Sequence, residues 1–585
     1  MISEANEQTS TGRWWTPSQR WAALVKHREE QVFLVVTLLI GALVGMAVVA
    51  FIVLTERFGA RIDAAVAPAW RRLFVPIIGS LSMGFLLYKY FPDARGSGVP
   101  QTKAALFARG GIISLRTVVG KFFCTSGTLA SGIPLGREGP SVQVGAGIAS
   151  LLGRWLGLSP EKIKSLIPVG AAAAVAAAFN TPLAAVLFAL EEVVGDLHAP
   201  VLGSVVLASA TSWAMLRLLL GNDPLFKVPQ YQLVSPAEFL VYAILGLLGG
   251  LLSVAFTKSL LMLRRRFLRL PRKTMWFQPA IGGVAVGIMG WFVPQILGVG
   301  YGYVGQVLNG GMAIRLMLLL LVLKLFAVVI SYASGNAGGI FGPALFLGAM
   351  LGGTIGGVAH SYFPGHVANA GAYALVGMGA AFAGIVRAPM TSVVMIFETT
   401  RNYAVIVPLM ISNLVSFFIS SRLQPQPIYE VLASQDGIHL PTVESRISSR
   451  HVFQAMRPAT EFLRVEMTIQ EACGKARAST LAALPVSNEK GVAGIVTLAA
   501  LEKAAANEVS TATVRDLIVS QEFPHLHADQ TLTVALERMG AAGLDALPVV
   551  SRADVHKLEG IVALQDVLKF YGFASQIEPP GHAGS

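Results

Sequence analysis

Apolar runs long enough to cross a bilayer begin near Val32, recur to about Ser420 and stop after Ser421. Residues 32–54 and 239–256 are two of them, and a third, 316–330, extends beyond both of those ends. A run of about 20 apolar residues spans the hydrocarbon layer as a helix, so the chain reads as a polytopic membrane protein. Composition agrees: the mean hydropathy is +0.62, with 54% apolar and only 13% charged residues, outside the range of soluble domains.

The first 30 residues hold Arg13, Arg20, Lys26 and Arg28. They show neither an apolar core segment nor a small-residue cleavage site, so no cleaved signal peptide is expected. Basic residues before the first span place the N-terminus in the cytoplasm. The net charge of +12 is scattered over loops and the polar C-terminal region rather than gathered in one stripe, which points to topology and anionic lipid and not to nucleic acid. Cys124 and Cys473 fall in different domains and suit neither a disulfide nor a metal site. HExxH, a nucleophile motif and a Walker loop are all missing, so an enzyme is not expected.

The membrane region repeats itself. Residues 131–153, SGIPLGREGPSVQVGAGIASLLG, share a frame of SG, G, GP and GA with residues 334–356, SGNAGGIFGPALFLGAMLGGTIG, at an offset of 203, the difference between 334 and 131. A second match starts at Val169 and Val376, offset 207, and pairs Pro182 with Pro389 and Glu191 with Glu398. Duplicated halves with Gly/Pro-broken segments at corresponding places are the pattern of a secondary transporter whose site lies between the halves. Whether the halves run parallel or inverted is left open by the pattern.

GREGP at 136–140 and GIFGP at 339–343 each put a proline where a helix can start, just after glycines that let the chain turn sharply. Each reads as a helix N-terminus within the bilayer, exposing backbone N–H groups and the positive end of the helix dipole. GSGVP at 96–100 has the same grammar and adds the Ser97 hydroxyl. Three such ends converging would bind an anion without burying a full positive charge.

GSGVP, GREGP and GIFGP, in that order, resemble the three signature loops of the chloride channel family over about residues 30–435. The resemblance implies an all-α membrane fold of two repeated halves with broken helices, working as a homodimer with one pathway per subunit. It implies that Ser97 and the backbone amides of Ile340 and Phe341 hold the central anion, and that Tyr429, in QPIYEVL, closes the site from the cytoplasmic side. Serine at 97, where nitrate-preferring relatives have proline, favours chloride.

A carboxylate inside an intramembrane anion site is costly unless it has a function, and Glu138 matches the family's gating glutamate. Ionised, it can take the outer anion position; protonated, it can swing away, so one group serves as gate and proton carrier. Of the adjacent Glu191 and Glu192, which point about 100° apart on a helix, the repeat gives Glu191 and Glu398 a structural part and leaves Glu192 unpaired. In the resembling exchangers the second acid of this pair accepts protons from the cytoplasm. Lys121, inside an apolar stretch, needs a local partner or a function; the family has a basic residue there, and long-range shaping of the anion potential is the expected role.

The sequence divides into an N-terminal segment (1–31), a transport region (32–435), a linker (436–450), two α+β units (451–507 and 508–574) and a tail (575–585). The two units echo each other, ALPV at 483 and 546 and GIV at 494 and 560, and resemble a pair of CBS domains. The nucleotide motif of such pairs is incomplete in both: Ala500 replaces its Asp in the first copy and Ala563 its hydroxyl in the second. A structural role is therefore at least as well supported as adenine nucleotide binding, and no other cofactor is expected. His525 and His527 lack a third ligand for a metal.

The expected function is chloride/proton exchange in a bacterial inner membrane, with N-terminus and CBS pair in the cytoplasm; the alternative is a passive voltage- or pH-gated chloride channel of the same fold. A magnesium transporter would need clustered carboxylates or carbonyls, and the acids here are too few.

Overall fold

The computed structural model describes residues 29–570, apart from 60–67, 441–450, 507–511, 519–522 and the short gaps 198, 222–223, 227, 230, 232, 439, 459–460, 480, 490 and 553. The chain divides into two units, Met1–Pro441 and Thr442–Ser585.

Among the described residues, the regular elements of the first unit are helices. Its helices are α1 (Glu29–Gly59), α2 (Ala69–Lys89), α3 (Val99–Phe107), α4 (Leu115–Ala130), α5 (Glu138–Trp155), α6 (Pro160–Phe179), α7 (Pro182–Phe188), α8 (Leu202–Leu220), α9 (Glu238–Leu268), α10 (Gln278–Phe292), α11 (Tyr301–Leu308), α12 (Ile314–Ala333), α13 (Phe341–Tyr362), α14 (Ala370–Val386), α15 (Pro389–Thr400), α16 (Ile406–Leu423) and α17 (Ile428–Gln435). The run expected to outlast residues 316–330 is α12. Among the described residues, eight helices are long and apolar enough to cross a membrane.

The duplication extends beyond the two segments found in the sequence. Helices α1 to α8 recur in order as α9 to α16: α1 and α9 are each 31 residues long, and α5 and α13 begin 203 positions apart, at Glu138 and Phe341. The halves also exchange equivalent hydrogen bonds. Gly136 and Gly339 form an antiparallel bridge, N–H to O 2.8 Å one way and 2.6 Å the other, which relates the two signature loops by a local two-fold axis.

Glycine sets how closely the helices approach. A side chain at Gly145 of α5 would run into the Gly170 carbonyl of α6, and in the second half one at Gly348 of α13 would run into the Gly377 carbonyl of α14. In a membrane, helices associate by such backbone approach because lipid is as apolar as their own side chains. The alanine-rich stretch of α6 and its counterpart in α14 are fully buried. α5 packs along the first of these stretches and α13 along the second.

In the second unit the first copy contributes α18 (Val452–Ala455), β1 (Leu463–Arg464), α19 (Ile469–Ala478), β2 (Ala483–Asn488), β3 (Gly491–Thr497) and α20 (Leu498–Ala505). The second copy has α21 (Leu532–Ala542), β4 (Ala546–Val550), β5 (Leu558–Ala563) and α22 (Leu564–Phe570). β2 pairs antiparallel with β3, β1 parallel with β2, and β4 antiparallel with β5. The echoed ALPV segments open β2 and β4. Residues 451–457, at the start of the first copy in sequence, hydrogen-bond to the second: Val452 N–H to Gln530 O and Arg457 reciprocally to Ile561.

Candidate functional site

The three Gly/Pro loops meet. Two glycines with positive φ, Gly96 (+88°) and Gly98 (+104°), turn the chain into α3, and any side chain at Gly98 would collide with the Gly139 carbonyl. A side chain at Gly139 would sit 2.9 Å from the Ser97 hydroxyl, and one at Gly339 would sit 3.0 Å from the Gly139 nitrogen. α3, α5 and α13 all start there, with Pro100, Pro140 and Pro343 in their first turns. The first amides of these helices have no intrahelical acceptor, and dipoles and N–H groups favour an anion at such ends.

Ser97 and Tyr429 are both fully buried, and neither hydroxyl has a hydrogen-bond partner in the protein although the two side chains are near neighbours. A buried hydroxyl without a partner costs about 1–3 kcal/mol, so two side by side mark a place where an acceptor belongs. Ile340 and Phe341 are buried beside them. The Phe341 ring is edge-on to Tyr429 at 6.0 Å and to Phe188 at 5.2 Å, and lies 5.3 Å from Phe382 and 6.4 Å from Phe179. Four aromatic rings thus pack around Phe341, beside the Tyr429 hydroxyl.

Glu138, the first residue of α5, is fully buried. Its Oε2 accepts from the Gly342 N–H of α13 at 3.3 Å, and its Oε1 accepts from the Tyr301 hydroxyl. The carboxylate thus occupies a helix-end amide of the type that binds anions. Its sequence neighbour Arg137 turns away: Nη1 pairs with Glu56 Oε1 of α1 at 3.0 Å, and the guanidinium lies 5.8 Å from the Tyr301 ring.

Glu191 and Glu192 diverge as their spacing requires. They lie in a π-turn, Ala189–Val194, that continues α7. Glu191 accepts from the Met390 and Thr391 N–H groups at 3.2 and 2.8 Å, at the start of α15, while Glu398 of α15 accepts from Leu183 and Ala184 N–H at 3.0 and 2.8 Å, at the start of α7. Each acid caps the other half's helix. Glu192 has no such counterpart and pairs with Lys103 of α3, Nζ to Oε1 2.6 Å.

Lys121 is held locally. Its Nζ donates to Ala94 O at 2.9 Å and Gly96 O at 2.6 Å, pinning the loop that carries Ser97. The repeat supplies a twin that the sequence reading missed: Lys324 donates to Ile296 O at 2.9 Å and Gly298 O at 2.6 Å. The loop it pins, GVGY at 298–301, is the second copy of GSGV at 96–99, again with positive φ at both glycines. Tyr301 stands at the position corresponding to Val99 and was likewise missed, as was Lys103. The offset of 202 between Gly96 and Gly298 was the signal that could have found Tyr301; for Lys103 the sequence offered none.

Residues 79–421 match the family described as voltage gated chloride channel, and residues 514–572 match the CBS domain. The former covers more than half of the chain, and with the repeated halves and facing helix ends it defines a membrane protein of the chloride channel class. The chain belongs to the voltage-gated chloride channel family. It is 31% identical to the H(+)/Cl(-) exchange transporter ClcA of Vibrio cholerae over 372 residues, 62% of this chain and 80% of that one. The same transporter of Citrobacter koseri is 32% identical over 365 residues, 60% and 77% of the two chains. A slow cyanobacterial Cl-/H+ antiporter has a TM-score of 0.64 at 26% identity, covering 69% of this chain and 97% of that one. A eukaryotic CLC transporter shares the fold at 20% identity and a TM-score of 0.60, covering 91% and 97%.

Proposed function

We propose that the protein exchanges chloride for protons, with Ser97, Tyr429 and the amides of Ile340 and Phe341 holding the anion. Glu138 is its gate and external proton acceptor, and Glu192 its internal proton acceptor. The observation that carries this reading is Glu138 lodged on the Gly342 N–H, where an ionisable side chain sits in place of an anion. Ionised, it competes with chloride for that amide. Protonated, it loses the charge that holds it there and leaves the position to chloride, so the two ions are bound to alternate. The exchangers among the relatives support chloride/proton exchange as the activity. As in the family, the protein is taken to work as a homodimer in the plasma membrane of a bacterium, with N-terminus and CBS unit in the cytoplasm.

The test is proton movement into liposomes under an imposed chloride gradient, comparing wild type with Glu192→Ala. Wild type is expected to drive protons against their own gradient, and Glu192→Ala to move chloride alone. Chloride flux in the wild type with no proton flux would make the protein a channel and remove the role given to Glu192.

The CBS unit is assigned a structural part. Asp566, the acid of the second nucleotide motif, is already engaged: Arg457 Nε donates to its Oδ1 at 2.8 Å, and Oδ2 accepts from the Ala563 N–H at 3.3 Å. Millimolar ATP or AMP is expected to leave the thermal unfolding midpoint unchanged, because no binding means no mass-action stabilisation. A nucleotide-dependent rise of several degrees would refute this assignment.

A further inference from the structure

Among the described residues, Lys103 and Glu192 form the one ion pair with both side chains buried, at 4% and 6% exposure. Lys103 belongs to α3, the helix whose first turn follows Ser97. Other titratable groups lie near enough to act on Glu192 electrostatically. Tyr429 and the half-buried Glu430 come from α17, and Glu191 comes from its own turn, already committed to the α15 amides. α6, also packed there, carries its charges, Glu161, Lys162 and Lys164, within its first five positions.

A buried carboxylate next to two other acids has little reason to stay ionised unless a cation compensates it. Lys103 is that cation. The pair also connects two branches of the mechanism, because Lys103 lies roughly 6–9 Å along α3 from the anion-binding end at a rise of 1.5 Å per residue.

We propose that Lys103 is the positioning residue of the internal proton branch, a role that rests on the exchange reading above. It holds the Glu192 carboxylate ionised and aimed until a proton arrives from the cytoplasm. The incoming proton bonds to the carboxylate oxygen and the ion pair opens. Lys103 is then an unbalanced positive charge behind Ser97 and draws chloride to the central position. When the proton passes on toward Glu138, the pair closes again. Proton arrival and chloride occupancy are thereby linked through one lysine.

The experiment is paired chloride and proton flux in proteoliposomes, as a function of internal pH, for wild type, Lys103→Met and Lys103→Arg. Without the neighbouring cation the Glu192 carboxylate holds its proton more tightly, so in Lys103→Met the internal pH at half-maximal proton flux is expected to rise by roughly 1–3 units. Chloride moved per proton is expected to increase, and Lys103→Arg is expected to keep the wild-type profile. A Lys103→Met protein with wild-type profile and ratio would overturn the proposal while leaving exchange intact; a wild type that moves no protons would overturn exchange itself. Should Lys103→Met fail to assemble because it strands a buried carboxylate, the double variant K103M/E192Q removes both charges and is expected to restore a stable protein. Its failure to do so would also overturn the proposal.

Discussion

Replacing Glu138 with Gln is expected to abolish proton transport while chloride continues to cross. The amide matches the carboxylate in shape, so it can remain near the Gly342 N–H and the Tyr301 hydroxyl, the two donors that hold Glu138. It has no proton to give at any accessible pH and no charge with which to displace an anion. Hydrogen bonds to a charged group contribute about 1.5–3 kcal/mol against about 1 kcal/mol for neutral pairs, so the glutamine is held less firmly and the outer position is open more of the time. Coupled flux in liposomes should show proton movement falling at least roughly 100-fold, a loss of more than about 2.7 kcal/mol of coupling, and chloride flux that no longer changes with external pH. Proton transport surviving in Glu138→Gln would rule out this carboxyl group as the carrier.

The second large effect is expected at Lys121. Lys121→Met keeps the bulk of the side chain but leaves the Ala94 and Gly96 carbonyls without their buried donor. Each stranded acceptor costs about 1–3 kcal/mol, so the loss of stability should be roughly 2–6 kcal/mol, seen as a clear drop in the thermal unfolding midpoint. Because the freed loop carries Ser97, chloride binding measured by calorimetry should weaken as well, by about tenfold or more. Lys324→Met is the control. It frees the corresponding loop before Tyr301, so a similar loss of stability is expected with central chloride affinity kept. Equal loss of affinity in both variants would mean that Lys121 acts through its charge at long range and not by holding the loop.

This contrast shows where sequence reading stopped. The apolar runs, the duplication, the three Gly/Pro loops and the different surroundings of Glu191 and Glu192 were legible because each is a pattern of residue types along the chain. Spacing alone could also make Glu191 and Glu398 partners in structure, and the reciprocal helix caps are what that pairing looks like in three dimensions. Lys121 was visible as a charge in an apolar stretch, but its partners, 25 and 27 positions earlier, are carbonyls, which no side-chain pattern announces. Lys103 was harder still. It sits 89 positions from Glu192 in a helix of only nine residues, and only the packing of α3 against the π-turn brings the two together. Tyr301 was hidden by drift within the repeat, since valine at 299 replaced the serine that marks the first copy.

The bridge between Gly136 and Gly339 has a consequence for how such a protein can change over evolutionary time. The signature loops proposed to hold the ion are backbone that both halves share, joined residue to equivalent residue across the local axis. In the proposed exchange, what meets the ion is a handful of unlike side chains, Ser97 and Tyr429 together with Glu138 and Tyr301. Substitutions among those four can retune preference or directionality without disturbing the frame, whereas a change at the bridge is felt by both halves at once. The duplicated scaffold is thus the slow-moving inheritance, and the unequal residues grafted onto it are the part free to diversify.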